Sequence, residues 1–104
     1  MDLAAQDTNY RASAGISWVV QETGVQVIDE VARRSETLAY PAAAAWELIL
    51  RGHTPHRAAS LLGCILGVEA EAAQTQIERL LRDWVACGWI VAMAFTREAC
   101  ADHG

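Results

Sequence analysis

The 104-residue chain is long enough to bury one hydrophobic core and too short for two ordinary domains. Its formal net charge is −5 and all eight basic residues are arginine, so we expect no nucleic-acid partner. The three cysteines form no C-x-x-C pair, which is typical of free thiols in a reducing compartment. No apolar run approaches the ~20 residues of a membrane span and the N-terminus has no secretory signal. We therefore predict a cytoplasmic protein without a membrane partner.

The sequence divides by composition into an arm, a domain and a tail. Residues 1–14 mix small and polar types without period, and we predict a flexible N-terminal arm there. From Gly15 onward the hydrophobic residues become periodic, which places the folded domain at residues 15–95. Residues 96–104 are predicted to be a flexible tail.

Three segments early in the domain have the alternating pattern of β-strands. In the first, Ile16, Trp18 and Val20 occupy every second position. Short connections separate the segments, which indicates an antiparallel meander. The predicted strands cover residues 15–21, 25–29 and 36–40.

The period then changes to that of helices. A first helix is predicted over residues 41–51, with Pro41 in its first turn and Gly52 at its end. A second follows over residues 55–65, where Thr54 is suited to cap it and Pro55 to begin it. Gly63 and Gly67 are expected to end this second helix.

The third helix is predicted to be the longest, from about residue 69 to residue 87, where Gly88 stops it. One face carries a stripe of apolar residues that we expect to be its core-facing side. The apolar segment "WIVAMAF", residues 89–95, is expected to be extended. The order predicts an α+β fold, a three-stranded antiparallel sheet followed by three helices, with a winged helix-turn-helix-like outline. The stripe comprises Ala73, Ile77, Leu80, Trp84 and Cys87.

Motifs for catalysis or metal binding are missing from the sequence. No Gly-rich loop carries the lysine and hydroxyl that cradle a phosphate, and the acidic residues do not fall in obvious pairs. His53 and His56 form an H-x-x-H pair without a suitable third ligand nearby. We expect no metal and no cofactor.

The layout favours peptide capture instead. The third predicted strand, residues 36–40, is expected at the edge of the sheet, where its unpaired main-chain groups can bond an extended peptide. The third helix would form the other wall of a groove.

The sequence resembles the PqqD-like domains, which recognise the precursors of ribosomally synthesised and post-translationally modified peptides. The resemblance covers about residues 16–90 and is clearest in "LAYPAAAAWELILRG". The family's Asn after the first Leu is replaced here by Ala39, which cannot cap the first helix. The segments "HTPHRAASLL" and "IERLLRDWVACGWI" are similar to the family's second and closing helices. The family positions in the first segment are occupied by Leu38, Ala42, Trp46, Glu47, Leu48 and Gly52.

The resemblance implies a function that involves no catalysis by this chain. Such domains bind the leader segment of a precursor peptide as an added strand. They present the precursor to a modifying enzyme, often a radical S-adenosylmethionine protein or a cyclase. Because some are free-standing, we expect this chain to be a stand-alone leader-peptide chaperone in natural product biosynthesis.

We predict the peptide-binding residues from the strand edge and from the flank of the third helix. The strand contributes main-chain groups, and the helix contributes side chains beside its core stripe. The strand residues are Glu36, Thr37, Leu38 and Ala39, and the helix residues are Gln74, Glu78, Leu81 and Arg82.

Three alternatives stay open at this point. A winged helix can be a DNA-binding regulator, although acidic residues outnumber basic ones on the third helix. The chain can instead be a general protein-interaction adaptor. The third alternative is a small homodimer whose interface uses "WIVAMAF", which is compatible with peptide binding.

Overall fold

A computed structural model describes residues 8–93 of the chain. The fold is α+β, with a three-stranded antiparallel sheet followed by three helices in a winged-helix-like arrangement. The elements in chain order are β1 Tyr10–Ala12, β2 Ile16–Gln21, β3 Gly24–Asp29, β4 Arg34–Ala39, α1 Ala42–Leu50, α2 Pro55–Leu66, α3 Ala70–Ala86 and β5 Ile90–Ala92.

The main sheet is the predicted meander, with β3 in the middle and β2 and β4 at its two edges. In β3, Val25 and Val27 are fully buried because that face of the sheet covers the helices. The strand β4 begins at Arg34, two residues earlier than the predicted start at Glu36. The extension arises because a four-residue turn, residues 30–33, already reverses the chain, with Arg33 in a left-handed conformation at φ 60°.

A second, two-stranded sheet joins the two ends of the described chain. The strand β1 pairs antiparallel with β5, and the Ser13 N–H donates to the Trp89 carbonyl at 2.9 Å. The predicted arm over residues 1–14 is therefore wrong for residues 10–12, where three residues without a periodic pattern form a strand by pairing with a distant partner. Residues 1–7 and the predicted tail, residues 96–104, lie outside the described part of the chain.

The first two helices start and end close to the predicted positions. In α1 the helical residues begin at Ala42, so Pro41 is the N-cap residue and no side chain caps the helix. In α2 the Thr54 side chain accepts a hydrogen bond from the Arg57 N–H at 3.2 Å, which confirms the predicted cap. The predicted end of α2 at residue 65 is one residue short, since the helix continues to Leu66 and the left-handed Gly67 ends it as expected, whereas Gly63 lies within the helix.

The third helix buries a face that differs from the predicted stripe. Ala73, Ile77 and Trp84 are buried as expected, but the fourth core residue is Leu81, which is 5% exposed. Leu80 is only partly buried and Cys87 is exposed, because the helix presents the adjacent row of side chains to the core. None of the helices between residues 8 and 93 has the length and apolar character needed to cross a membrane.

The core is centred on Trp46 of α1, whose side chain is completely buried. Three other tryptophan rings meet it edge-to-face, with ring centroids 5.6 Å away for Trp18, 5.1 Å for Trp84 and 6.1 Å for Trp89. The fully buried Ala43 and Ala45 precede it in sequence, and their small side chains let α1 approach its neighbours closely. The Trp46 cluster, meaning these four rings, thus connects the sheet, α1 and the end of α3.

The Trp46 cluster generates a stability prediction. Trp46→Ala removes the ring that the other three contact, so we expect the free energy of unfolding to fall by about 3–5 kcal/mol. Denaturant unfolding followed by far-UV circular dichroism measures this loss without relying on tryptophan fluorescence.

Val31→Ala is the matched control, because Val31 is 80% exposed in the β3–β4 turn. We expect it to change the free energy of unfolding by less than about 0.5 kcal/mol. Equal losses in the two variants would contradict a core centred on Trp46.

Candidate functional site

The open edge of β4 is the main feature of the candidate site. Within residues 8–93 this strand pairs with β3 alone, and five of its six residues are exposed. The exception is Leu38, which is 9% exposed and lies opposite Val25. The C-terminal end of β4 is therefore anchored in the core, while its N-terminal part projects beyond it.

The hairpin geometry determines which main-chain groups of β4 face outward. Gln21 and Gly24 flank a two-residue turn, so their main-chain groups form a hydrogen-bonded pair. Because such pairs alternate in an antiparallel ladder, every second residue of β3 from Gly24 onward forms its main-chain hydrogen bonds with β2. The Glu30 N–H, which follows the same alternation, donates to the Gly15 carbonyl at 2.9 Å. The remaining β3 residues must therefore bond to β4.

Those remaining residues pair with Arg34, Glu36 and Leu38, whose main-chain groups accordingly point toward β3. Ser35, Thr37 and Ala39 alternate with these residues along the strand. The N–H and C=O groups of Ser35, Thr37 and Ala39 therefore point away from the sheet. The outward row, as we call these three residues, has no strand partner in the described part of the chain. It offers up to three donors and three acceptors to an added strand.

The predicted strand residues divide between the two sides. Thr37 and Ala39 belong to the outward row, whereas Glu36 and Leu38 use their main-chain groups within the sheet. The prediction omitted Ser35, the first residue of the row. A signal for Ser35 was present in the sequence. A two-residue turn between β2 and β3, together with the alternating valines of β3, determines which residues of β4 direct their main-chain groups outward.

A cavity of about 200 Å³ lies between the N-terminal part of β4 and the C-terminal end of α3. On the helix side it is lined by the exposed Cys87 and by Trp89, which is 9% exposed. On the sheet side it is lined by Asp29, Ala32, Arg34, Ser35 and Glu36. Of these residues, only Glu36 was predicted to belong to the site.

Charged groups of the cavity come from both strands of one hairpin. Asp29 lies directly opposite Arg34 in the sheet register, and its Oδ1 accepts a hydrogen bond from the Ala32 N–H at 3.0 Å. Glu36 lies opposite the uncharged Val27. Within residues 8–93 neither Arg34 nor Glu36 forms an ion pair or a side-chain hydrogen bond, so both charges are available to a ligand.

The predicted helix residues lie on a different side of α3 from the cavity. At ~100° per residue, Gln74, Glu78 and Arg82 are rotated by about 140–180° from Cys87 around the helix axis. Gln74 donates to the Glu78 carboxylate at 3.0 Å along that outer side. The fourth predicted residue, Leu81, is part of the core and leaves little surface for a ligand. Peptide contact by these four residues stays a prediction.

The cavity side of α3 is instead the side of Cys87. Asp83, one turn earlier, and Leu80, two turns earlier, share it. Asp83 is exposed and Leu80 is partly buried.

No metal centre is formed by the described residues. Between residues 8 and 93 no three His, Cys, Asp or Glu side chains come together as ligands. His53 and His56 accordingly have no third ligand there, and Pro55 between them begins α2.

Comparison with solved structures identifies a similar fold. A lasso peptide synthetase B1 complexed with the leader peptide matches the chain with a TM-score of 0.73 and 24% sequence identity. The match covers 80% of this chain and 98% of that protein. Neither a family model nor a curated protein sequence matches the chain.

Gly24 provides a test of how tightly β4 is held. A Cβ atom at this buried position would overlap the Leu38 carbonyl oxygen on β4. We expect Gly24→Ala to lower the free energy of unfolding by about 1–3 kcal/mol, because the backbone of β4 must move to make room. Denaturant unfolding measures the loss, and amide exchange by NMR should be faster along β4.

Glu22→Ala, in the adjoining exposed turn, is the control and should leave both measurements close to those of the parent protein. A Gly24→Ala protein as stable as the control would show that β3 and β4 are not closely apposed at this point.

Proposed function

We propose that this protein binds the leader segment of a ribosomally synthesised precursor peptide and presents the precursor to a modifying enzyme. The peptide adds to the outer edge of β4 as an extra strand. The chain has no catalytic role in this proposal, and the modifying enzyme is of the radical S-adenosylmethionine or cyclase type. A PqqD-like membership is part of the same proposal, supported by the residues from Leu38 to Gly52.

The outward row of Ser35, Thr37 and Ala39 is the observation that carries the proposal. Strand addition requires main-chain donors and acceptors that are exposed, regularly spaced and held in an extended conformation. Pairing with β3 along all of β4 and the burial of Leu38 supply that conformation before any ligand arrives. A preorganised edge loses less conformational entropy on binding than a mobile loop would.

The position of the outward row favours binding of a specific peptide over pairing with any exposed strand. On its helix side the edge borders the cavity, whose other wall is formed by the exposed Cys87 at the end of α3 and by Trp89. An added strand would project alternate side chains toward this wall, and side-chain pockets are what give strand addition its specificity.

The fold of the similar lasso peptide synthetase B1 supports the same function. That protein was solved in complex with a leader peptide, and nearly all of it aligns with this chain. The shared fold makes a leader peptide the ligand to test first.

Titration with the leader segment encoded by a precursor gene next to this gene tests the proposal. We expect micromolar affinity, about −8 kcal/mol. Thr37→Pro removes an outward N–H without breaking a bond to β3, so it should weaken binding roughly tenfold while the domain stays folded.

Thr37→Ala is the matched control, since it changes the same side chain and keeps the N–H. It should bind within about twofold of the parent protein if recognition uses the main chain. Thermal melts of all three proteins establish that they are folded. Undiminished binding by a folded Thr37→Pro protein would rule out strand addition at β4.

Thiol protection gives an independent test of where the peptide lies. Cys64 and Cys87 are both exposed, but only Cys87 lines the cavity beside β4. We expect saturating leader peptide to slow the alkylation of Cys87 by iodoacetamide at least severalfold, because the added strand covers that side of the groove.

The alkylation rate of Cys64, measured in the same peptide digest by mass spectrometry, should not change. Equal protection of both thiols would indicate a global change instead of a local contact. Equal reactivity of Cys87 with and without bound peptide would place the peptide elsewhere.

A further inference from the structure

The cavity between β4 and α3 has features of a pocket for one side chain of a docked peptide. Neighbouring strands lie about 4.8 Å apart, so a strand on the outward row would lie directly beside Ser35 and Thr37. Its alternate side chains would then point to the same face as Arg34 and Glu36, which is the face that lines the cavity. With a volume of about 200 Å³, the cavity is large enough for a single long side chain.

The charges of the pocket are unevenly compensated. Asp29 and Arg34 lie directly opposite each other on adjacent strands, so their charges offset each other locally even without a direct ion pair. Glu36 faces the uncharged Val27, and in the described part of the chain its carboxylate has no cationic or hydrogen-bonding partner. The pocket therefore has one uncompensated negative charge, in a chain of net charge −5.

The opposite wall of the pocket is apolar and polarizable. It is lined by Trp89, which has a small exposed fraction, and by the exposed Cys87. A ligand side chain with an aliphatic stem and a cationic tip matches this combination, since the stem can cover the aromatic wall while the tip reaches the carboxylate. An acidic side chain would instead meet Glu36 with like charge.

We infer that the pocket receives a basic side chain, arginine or lysine, of the docked peptide, with the Glu36 carboxylate as its counter-ion. This inference rests on the proposed strand addition at β4. In this inference, Glu36 discriminates among peptides that can all form main-chain hydrogen bonds to the outer edge of β4.

Selection from a random 15-residue display library on the immobilised full-length protein tests the inference and does not require the leader sequence. Peptides that Thr37→Pro also retains are discarded, which leaves those bound at the β4 edge. We expect the remaining peptides to share one position enriched in Arg or Lys. The same selection on Glu36→Arg should enrich Asp or Glu at that position.

Direct titration of one selected peptide completes the test. Replacing its shared basic residue by Ala should weaken binding to the parent protein about fivefold and should hardly affect binding to Glu36→Gln. Glu22→Gln is the matched control, because it removes the same charge from an exposed turn at the other end of the hairpin and should leave affinity unchanged.

The possible outcomes separate this inference from the proposed function. Edge-binding peptides without a basic preference, or with one that Glu36→Arg leaves unaltered, would overturn the inference and leave peptide binding standing. A selection that yields no peptide dependent on the β4 edge would overturn both.

Discussion

Contact between Trp46 and three other tryptophan rings is the interaction on which the structure depends. The rings come from β2, from α3 and from the residue before β5, so one side chain of α1 connects elements from both ends of the domain. Edge-to-face pairs contribute about 0.5–1.5 kcal/mol each beyond the area they bury. The Trp46 indole N–H has no hydrogen-bond partner among the described residues, an unsatisfied group that costs about 1–3 kcal/mol. Burial of four large rings offsets that cost.

The position of the β4 edge follows from this packing. Only Tyr40 and Pro41 separate β4 from α1, so fixing Trp46 in the core also fixes the end of the strand. Leu38 enters the same core, while residues 34–37 extend past it. The strand is thus held at one end by hydrophobic contacts and along its length by β3, which leaves its outer edge extended and exposed. The cavity and α3 border this edge, whereas at the opposite edge of the sheet the β2 side chains of Val19 and Val20 are exposed.

Local patterns in the sequence predicted most of the elements, and tertiary packing decided the details that were missed. The meander and the Thr54 cap depend on neighbouring residues, so periodicity and turn chemistry were sufficient to find them.

Leu80 and Leu81 are adjacent apolar residues on α3, and helical spacing alone allows either to continue the core stripe. The packing of the helix on the core buries Leu81 and leaves Leu80 partly exposed, and no local pattern predicts that choice. The strand β1 exists because β5, nearly eighty residues later in the chain, pairs with it. The cavity likewise joins residues that are about fifty positions apart in the chain, and Glu36 is the one lining residue that was predicted as a site residue.

The number of outward main-chain groups limits what the edge alone can contribute to binding. Ser35, Thr37 and Ala39 can make at most six hydrogen bonds, worth a net ~0.5–1.5 kcal/mol each. Their sum, roughly 3–9 kcal/mol, must also offset the entropy lost when an extended peptide is ordered and attached. Micromolar binding at about −8 kcal/mol therefore requires side-chain contacts in addition to the edge. Main-chain bonds are also the same for nearly every sequence, so discrimination among peptides has to come from the wall beside the edge. In the proposed mode, β4 makes the protein a peptide binder, and the cavity between Glu36 and Trp89 determines which peptide it binds.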